Sequence, residues 1–221
     1  MNKNIEHYIY HKENFLDEKY CENCVNELND LVWKKHEWYN SKTGTTDEKQ
    51  GDNEPEVMMG VPDLTEEQYE ATLRALKYQK ASADWLSDPD LNHFSKINDF
   101  IMQELYVIIA EYISIIDIDW FTGWSGYSDI KFLRYHSNQR MENHCDHIHD
   151  MFDGERKGIP TLSIIGILND DYEGGELIMF QDKKIDTKKG DLLIFPSNFL
   201  YPHEIMPVTK GARYSYVSWA W

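Results

Sequence analysis

The apolar positions in the first part of the chain recur at three- and four-residue steps, the spacing typical of amphipathic helices. Residues 5–15 alternate loosely between apolar and polar side chains, and we expect an edge strand there that leads into a helix. Asp17 stands where an N-cap would be placed. The pattern that follows Asp17 predicts a helix of about five turns. The positions that recur at helical spacing on its apolar side are Cys21, Cys24, Val25, Leu28, Leu31, Val32 and Lys35. His36, Trp38 and Tyr39 are expected at its frayed end.

Two further helices are indicated before the middle of the chain. Residues 65–68 (TEEQ) have the form of a capping box, and apolar residues follow them at helical spacing. A third helix begins near Asp90. Its long apolar face consists of Leu91, Phe94, Ile97, Ile101, Leu105, Ile108, Ile109 and Tyr112. Residues 40–56, which lie between the first two helices, contain no apolar anchor, and this favours a mobile loop.

After Gly126 the period changes from helical to strand-like, and short β-rich runs alternate with turn residues to the end of the chain. The predicted strands are residues 129–135, 161–168, 176–180, 191–195 and 213–221. Turn chemistry is expected at Gly174-Gly175-Glu176 and a solvated hairpin tip at the lysine pairs 183–184 and 188–189.

Helices that precede strands in separate parts of the sequence indicate an α+β fold rather than an alternating α/β fold. A chain of 221 residues is long enough for one sizeable core. We therefore expect a single domain over residues 1–221, in which residues 1–125 give mainly helical support and residues 126–221 form most of the β core.

The composition disfavours several classes of partner. Lys and Arg number 22 against 39 Asp and Glu, and the net charge of −17 argues against binding to nucleic acid or to an anionic membrane. The apolar run at 113–118 is interrupted by polar residues and is far shorter than a membrane span. Three cysteines and a polar N-terminus without an apolar signal region predict an intracellular, cytoplasmic protein. The spacing of Cys21 and Cys24 fits a buried helix face better than a thiolate metal site.

The densest cluster of chemical groups in the chain is residues 143–150 (NHCDHIHD). Two side chains separated by one residue on an extended backbone point to the same side, so His144 and Asp146 can bind one metal ion together. Imidazole and carboxylate suit divalent iron, manganese or zinc. The strongest candidate for a third ligand is His203. Two histidines and one carboxylate would form a facial triad that leaves positions open for other ligands.

Ten residues beyond His203 lies Arg213, whose guanidinium can bind a carboxylate through two parallel hydrogen bonds. Simpler interpretations stay open for both motifs. His144 and Asp146 could merely hydrogen-bond each other in a polar loop, and Arg213 could be an ordinary ion-pair partner on a strand.

Residues 129–221 carry five motifs in an order that resembles one known family. The motifs are Tyr135-x-x-Asn138-x-x-Met141-x-x-His144-x-Asp146, then Asn169-Asp170 with Gly174-Gly175-Glu176-Leu177 and Phe180, then Gly190-Asp191 with Phe195-Pro196, then His203, then Arg213 with Ser215. This pattern is similar to that of the Fe(II)- and 2-oxoglutarate-dependent dioxygenases of the prolyl 4-hydroxylase type.

The resemblance implies a double-stranded β-helix, or jelly roll, with His144, Asp146 and His203 as iron ligands. It also implies that Arg213, where many relatives have Lys, binds the distal carboxylate of 2-oxoglutarate and that Tyr135 lines the co-substrate pocket. The implied cofactors are Fe(II), 2-oxoglutarate and O2, with ascorbate as an optional addition. Such an enzyme, similar to procollagen-proline 4-dioxygenase, couples decarboxylation of 2-oxoglutarate to succinate with hydroxylation of a substrate.

Two positions depart from the family pattern: Asn138 replaces the usual Gly, and Met141 replaces a second Tyr. His147, His149 and Asp150 have no fixed role in the family, and we interpret them as loop residues. The substrate class favoured by the resemblance is a peptidyl proline, while the oligomeric state is left open. The alternatives are a 2-oxoglutarate oxygenase acting on a small molecule or on another residue, a cupin-like metalloprotein, and a non-catalytic jelly-roll module that binds a peptide or sugar.

Overall fold

Two antiparallel sheets that share an apolar interior form the centre of the protein. The computed structural model describes residues 4–29, 33–36, 38–40, 45–47, 54–59, 89–118, 124, 126–128, 130–146 and 160–221. The larger sheet has seven strands, in the spatial order β1 (Tyr10–Lys12), β12 (Leu192–Pro196), β8 (Leu162–Ile167), β15 (Arg213–Ala220), β6 (Lys131–Tyr135), β5 (Glu56–Met59) and β2 (Lys34–Lys35). We call it the major sheet.

The second sheet, called the minor sheet, has four strands. Their spatial order is β11 (Lys183–Ile185), β10 (Leu177–Met179), β13 (His203–Ile205) and β7 (Met141–His144). Two short ribbons complete the described strands: β9 (Glu173–Gly174) pairs with β14 (Val208–Lys210), and β3 (Trp38–Asn40) pairs with β4 (Thr45–Asp47).

Alternate residues of the major sheet face two different cores, because successive side chains on a strand point to opposite sides. One face packs against the helices α1 (Glu18–Asn29) and α2 (Pro89–Ile116), and we call it the outer face. The other, the inner face, shares an apolar cluster with the minor sheet. This arrangement of two facing sheets confirms the predicted jelly roll.

The structure requires glycine at two places, at one because of close packing and at the other because of backbone conformation. A Cβ atom at Gly166 of β8 would lie 1.9 Å from the ring of Tyr216, its neighbour on the outer face, so a larger residue cannot fit without displacing the ring. Gly174 and Gly175 both adopt positive φ, at 75° and 66°. The positive φ values fit the expectation that glycine is needed here, but the predicted tight hairpin is wrong, because Gly174 belongs to β9, which pairs with β14.

The N-terminal elements agree with the sequence only in part. The edge strand before the first helix is β1, and the Asp17 carboxylate accepts a hydrogen bond from the Tyr20 amide at 2.8 Å, as expected of an N-cap. Helix α1 ends at Asn29, however, so the predicted extension to Lys35 is wrong. The Trp33 indole donates to the Leu28 carbonyl at 2.9 Å, and the chain then turns into β2, which pairs with β5.

The expectations for residues 38–56 also need correction. Trp38–Asn40 is a strand rather than a frayed helix end, and the predicted mobile loop contains its partner Thr45–Asp47. Strands β1, β2 and β5 belong to the major sheet, so residues 1–125 supply strands as well as helical support. Sequence periodicity missed β2 and β5 because they are short and are held by partners distant along the chain.

The remaining elements follow the predicted pattern with shifted ends. The third helix is α2, whose described buried face includes Ile101, Leu105, Ile109 and Tyr112. Cys21 and Cys24 are buried on α1, as their spacing suggested. The helix expected near residue 65 lies outside the described residues. Lys183 and Lys184 belong to strand β11 rather than to a hairpin tip. No helix in the described ranges is long and apolar enough to cross a membrane.

Candidate metal centre

Three side chains with metal-binding atoms meet at one end of the minor sheet. His144 is the last residue of β7, His203 is the first residue of β13, and the two are direct cross-strand partners. Asp146 follows β7 by two residues. Its Oδ1 lies 3.3 Å from Nε2 of His144 and 3.7 Å from Nε2 of His203. One ligand atom from each of the three side chains lies within 4.8 Å of the other two.

The second nitrogen of each ring is held by a backbone carbonyl. Nδ1 of His144 lies 2.7 Å from the carbonyl oxygen of Glu142, and Nδ1 of His203 lies 3.2 Å from that of Tyr201. A carbonyl can only accept a hydrogen bond, so each Nδ1 carries the proton and Nε2 keeps its lone pair for a metal. Phe195 packs edge-on against the His203 ring at a centroid distance of 5.2 Å and fixes its orientation further.

Burial and mutual charge interactions shift the pKa values of all three triad side chains. Burial by itself would raise the pKa of Asp146, but His203, His144 and the Ser163 hydroxyl together lower it well below its usual range. Burial lowers the pKa of His203 despite the nearby Asp146 charge. For His144, burial lowers the pKa, but the hydrogen bond to Asp146, the Asp146 charge and the hydrogen bond to the Glu142 carbonyl together raise it. A metal cation would replace the proton that the hydrogen bond to Asp146 needs on Nε2. An ionised carboxylate and a neutral imidazole are the ligand forms that metals require.

The described residues fit a divalent metal because they provide one carboxylate and two oriented imidazoles at a common point. This donor set suits divalent iron. The triad predicted from sequence is therefore assembled in space, while the metal itself stays a prediction. His147, His149 and Asp150 lie outside the described residues.

Arg213 lies on the inner face with a guanidinium that is incompletely paired. Its side chain is 1% exposed, and one terminal nitrogen donates to the Ser215 hydroxyl at 2.7 Å. Its Nε and its other terminal nitrogen have no hydrogen-bond partner among the described residues. Unpaired donors in a buried guanidinium are costly. They form a geometry suited to a carboxylate, so the distal end of 2-oxoglutarate fits this position.

Tyr135 is the cross-strand partner of Arg213, and the guanidinium carbon lies 5.3 Å from the centre of its ring. Burial raises the pKa of Tyr135 to about 12, although the Arg213 charge opposes this shift. The phenol therefore stays protonated at neutral pH and can act as a hydrogen-bond donor. The structure places Tyr135 beside Arg213, while its role in a co-substrate pocket stays a prediction.

The two departures from the family pattern have simple structural accounts. Asn138 has a φ of 70°, a left-handed conformation that asparagine tolerates better than most residues, so it can stand where Gly is usual. Met141 is buried in the apolar cluster between the sheets. At this position the chain has an apolar contact and no hydroxyl.

The aromatic residues that flank the site elements in the sequence divide between the two cores. Trp124 and Tyr127 pack against the helix side of the major sheet, away from the triad. Tyr201 is buried in the inner cluster next to Phe195. Trp120 and Phe121 lie outside the described residues.

Two inward polar residues were missed from sequence. Ser163 lies on the inner face of β8 and contributes a hydrogen bond to Asp146. Lys131 is the first residue of β6, and Leu133 lies between it and Tyr135 in the same period-two series. Period-two alternation would have placed Lys131 on the same face as Tyr135, and that was the available signal.

Comparisons with known proteins point to one superfamily. The family model of the 2OG-Fe(II) oxygenase superfamily matches residues 130–221. A PKHD-type hydroxylase of Idiomarina loihiensis is 32% identical over 89 residues, 39% of this chain and 38% of that protein. The PKHD-type hydroxylase PiuC of Pseudomonas aeruginosa is 33% identical over 92 residues, 38% of this chain and 39% of the relative. The chain thus matches about two fifths of the length of these curated relatives.

Solved structures resemble the chain over nearly its whole length. A prolyl-4-hydroxylase of Pseudomonas putida has a TM-score of 0.55 at 17% identity, covering 97% of this chain and 92% of that one. A viral collagen prolyl hydroxylase of Paramecium bursaria Chlorella virus-1 has a TM-score of 0.57 at 17% identity, covering 96% and 94%. At such identities the likeness establishes the fold, which is the jelly roll of the prolyl hydroxylases. Residues 130–221 therefore resemble the 2OG-Fe(II) oxygenase superfamily in sequence, and the described structure shares the fold of the prolyl hydroxylases.

Proposed function

We propose that this protein is an Fe(II)- and 2-oxoglutarate-dependent hydroxylase that acts on a peptidyl proline. The observation that carries the proposal is the combination of two sites in one interior. Three oriented metal donors converge within 4.8 Å, and a buried arginine on the facing sheet has two nitrogens without partners among the described residues. A purely structural jelly roll needs neither feature.

Each group has a distinct task in this proposal. His144, Asp146 and His203 hold the iron, and the carbonyls of Glu142 and Tyr201 keep both imidazoles in the correct tautomer. Arg213 binds the distal carboxylate of 2-oxoglutarate and so orients the keto acid relative to the triad. When bound, iron, 2-oxoglutarate and O2 supply the chemistry that decarboxylates the keto acid to succinate and hydroxylates the substrate.

The apolar cluster between the sheets limits access of water to these groups. Phe195, Leu193 and Ile167 are almost fully buried on the inner face, and Met179 is buried on the minor sheet. The low dielectric constant of an interior without water strengthens the ion pair between Arg213 and a carboxylate. It also protects reactive species from side reactions with solvent.

The assignment of proline as substrate rests on similarity. The matched relatives are named PKHD-type hydroxylases, and the structural neighbours include prolyl hydroxylases. One of those neighbours, from Trichoplax adhaerens, is in complex with a peptide fragment, and its TM-score is 0.60 at 15% identity. A peptide substrate is consistent with this fold, while a small molecule or another residue type is the alternative.

The proposal is tested with protein loaded with Fe(II) and 2-oxoglutarate under anaerobic conditions. Calorimetry should first detect 2-oxoglutarate binding that requires the metal. Admission of 18O-labelled O2 should then give succinate, and proline-containing peptides should gain one labelled oxygen in mass spectra. Absence of metal-dependent 2-oxoglutarate binding would falsify the proposal. Succinate formation together with oxidation of a different residue or of a small molecule would retain the reaction and replace the substrate.

A further inference from the structure

Lys131 is a cationic residue that projects into the interior of the jelly roll. On β6 it alternates with Leu133 and Tyr135, which both belong to the inner apolar cluster. Its direct partner on β15 is Val217, which packs against the same cluster. Directly opposed residues of an antiparallel pair share one face of the sheet. The Lys131 side chain is therefore on the inner face, across from the minor sheet that carries the triad.

The surroundings of Lys131 connect it to the metal centre. The side chain is half-buried, and its charge interacts with those of Asp146 and His144. Burial lowers the pKa of Lys131, while the Asp146 carboxylate partly offsets that effect. Within the part of the chain that the structure describes, the Lys131 ammonium makes no ion pair within 4.0 Å. Asp146, whose charge acts on Lys131, already lies close to two histidines.

Among the described residues, the charge balance of the loaded site leaves Lys131 without a counterion. This step rests on the proposed function. The positive charges of Fe(II) and Arg213 cancel the negative charges of Asp146 and a doubly ionised 2-oxoglutarate, while both histidines are neutral ligands. Lys131 then adds one positive charge in a partly desolvated interior. Such a charge is costly unless an anion accompanies it.

We propose that Lys131 binds a carboxylate of the substrate, so that the favoured peptide has an acidic residue next to the oxidised one. The partner is a single carboxylate rather than an acidic tract, because a protein with a net charge of −17 repels a polyanion at long range. Short-range pairing with one ammonium survives this repulsion since the two groups meet in a region of low dielectric. Lys131 is thus a specificity-determining residue, distinct from the triad and from Arg213.

Equilibrium binding to zinc-substituted protein loaded with 2-oxoglutarate tests this role without turnover. The probes are N-acetylated tripeptide amides with a central proline and with Glu or the isosteric Gln on either side. Wild-type protein should bind the best Glu peptide about tenfold more tightly than its Gln counterpart, the effect expected of one hydrogen bond to a charged group. Calorimetry or ligand-observed NMR measures the ratio of the two dissociation constants.

Three variants separate a specific role from a general one. Lys131→Met keeps an unbranched side chain without the charge and should bring the Glu to Gln affinity ratio close to one. Lys131→Arg keeps the charge and should retain most of the preference. Lys210→Met removes a lysine that pairs with Glu173 on the surface, with 75% of its side chain exposed, and should leave the ratio unchanged. Binding of 2-oxoglutarate should be the same in all four proteins and serves as the control for folding.

The outcomes distinguish this role from the proposed function. If wild-type protein does not bind 2-oxoglutarate in a zinc-dependent way, both ideas fall. Normal 2-oxoglutarate binding without a carboxylate preference among the peptides, or with a preference that persists in Lys131→Met, overturns only the role of Lys131. Loss of 2-oxoglutarate binding in Lys131→Met would place the residue in the co-substrate site, which also refutes a substrate role.

Discussion

The two faces of the major sheet are made by the same strands but have opposite chemistry. On the outer face, Phe132, Ile164 and Tyr216 are buried against the helices. The inner face carries most of the polar groups of the site: Lys131, Tyr135, Ser163, Arg213 and Ser215. Residues adjacent in sequence, such as Lys131 and Phe132, therefore belong to different environments. Period-two alternation therefore separates residues that stabilise the fold from residues that form the site along a single strand.

The energetic balance differs between the faces in the same way. Outer-face side chains lose contact with water and gain apolar contacts, which stabilises the fold. On the inner face, Arg213 holds two donors that find no partner among the described residues, and this costs free energy in the absence of a ligand. We expect substitutions on the outer face to change stability and substitutions within the interior to change binding.

Asp146→Ala should abolish binding of a divalent metal while the protein stays folded. The variant removes the only carboxylate among the three donors and leaves two histidines, which cannot complete the site. Metal content after dialysis against Fe(II) or Zn(II) measures the effect. The matched control is Asp186→Ala, since the Asp186 side chain is 91% exposed. Retention of stoichiometric metal by Asp146→Ala would contradict the assignment of the ligands.

Phe132→Ala should reduce the free energy of unfolding by about 3–5 kcal/mol, the usual cost of truncating a buried phenylalanine. Phe132 is fully buried on the outer face, and its ring packs against Tyr216. Urea denaturation measures the loss, and metal affinity of the folded variant should be unchanged. Phe199→Ala is the control, because Phe199 is 73% exposed and its truncation should alter stability by less than about 0.5 kcal/mol. Weakened metal binding in folded Phe132→Ala would break the division between the faces.

Arg213→Ala should weaken 2-oxoglutarate binding by about a hundredfold while metal binding persists. That loss corresponds to roughly 3 kcal/mol, within the range for truncating one partner of a buried charge pair. Calorimetry on zinc-loaded protein measures both affinities. Arg213→Lys should recover part of the affinity, since it restores the charge without the two-pronged geometry. Arg140→Ala removes a half-exposed arginine and should have no effect. Equal affinity in Arg213→Ala and wild type would refute the carboxylate role.

Asp17→Ala is expected to produce the smallest change, a loss of about 1 kcal/mol in the free energy of unfolding. The Asp17 carboxylate caps α1 by accepting a hydrogen bond from the Tyr20 amide, and α1 packs on the outer face. Asp17→Asn preserves an acceptor and should restore most of the stability. Binding of metal and of 2-oxoglutarate should be unaffected in both variants. An effect of Asp17→Ala on either ligand would show that the helix layer and the interior are coupled.

The sequence predicted the site better than the periphery of the fold. His144, Asp146, His203 and Arg213 lie in short motifs whose spacing along strands determines where their side chains point, so local pattern was sufficient. Strands β2 and β5 could not be predicted, because they depend on pairing with segments distant in sequence. Apolar periodicity extended α1 too far because it does not show that Lys34 and Lys35 pair with β5. Lys131 was missed because a single lysine at the start of a strand usually faces solvent, and only its register beside Val217 places it inside.

The cross-strand pairing of His144 with His203 has a consequence for the motions of the minor sheet. Among the described strands, β7 is at one edge of that sheet and pairs only with β13, and the register shifts between His203 and Ile205. An ion bound by both histidines would join β7 to its neighbour independently of the backbone hydrogen bonds. Amide hydrogen exchange in β7 should then slow when metal is added, whereas exchange at the opposite edge, β11, should change little. The bound metal would thus also stabilise the pairing of an edge strand that has few other contacts within its sheet.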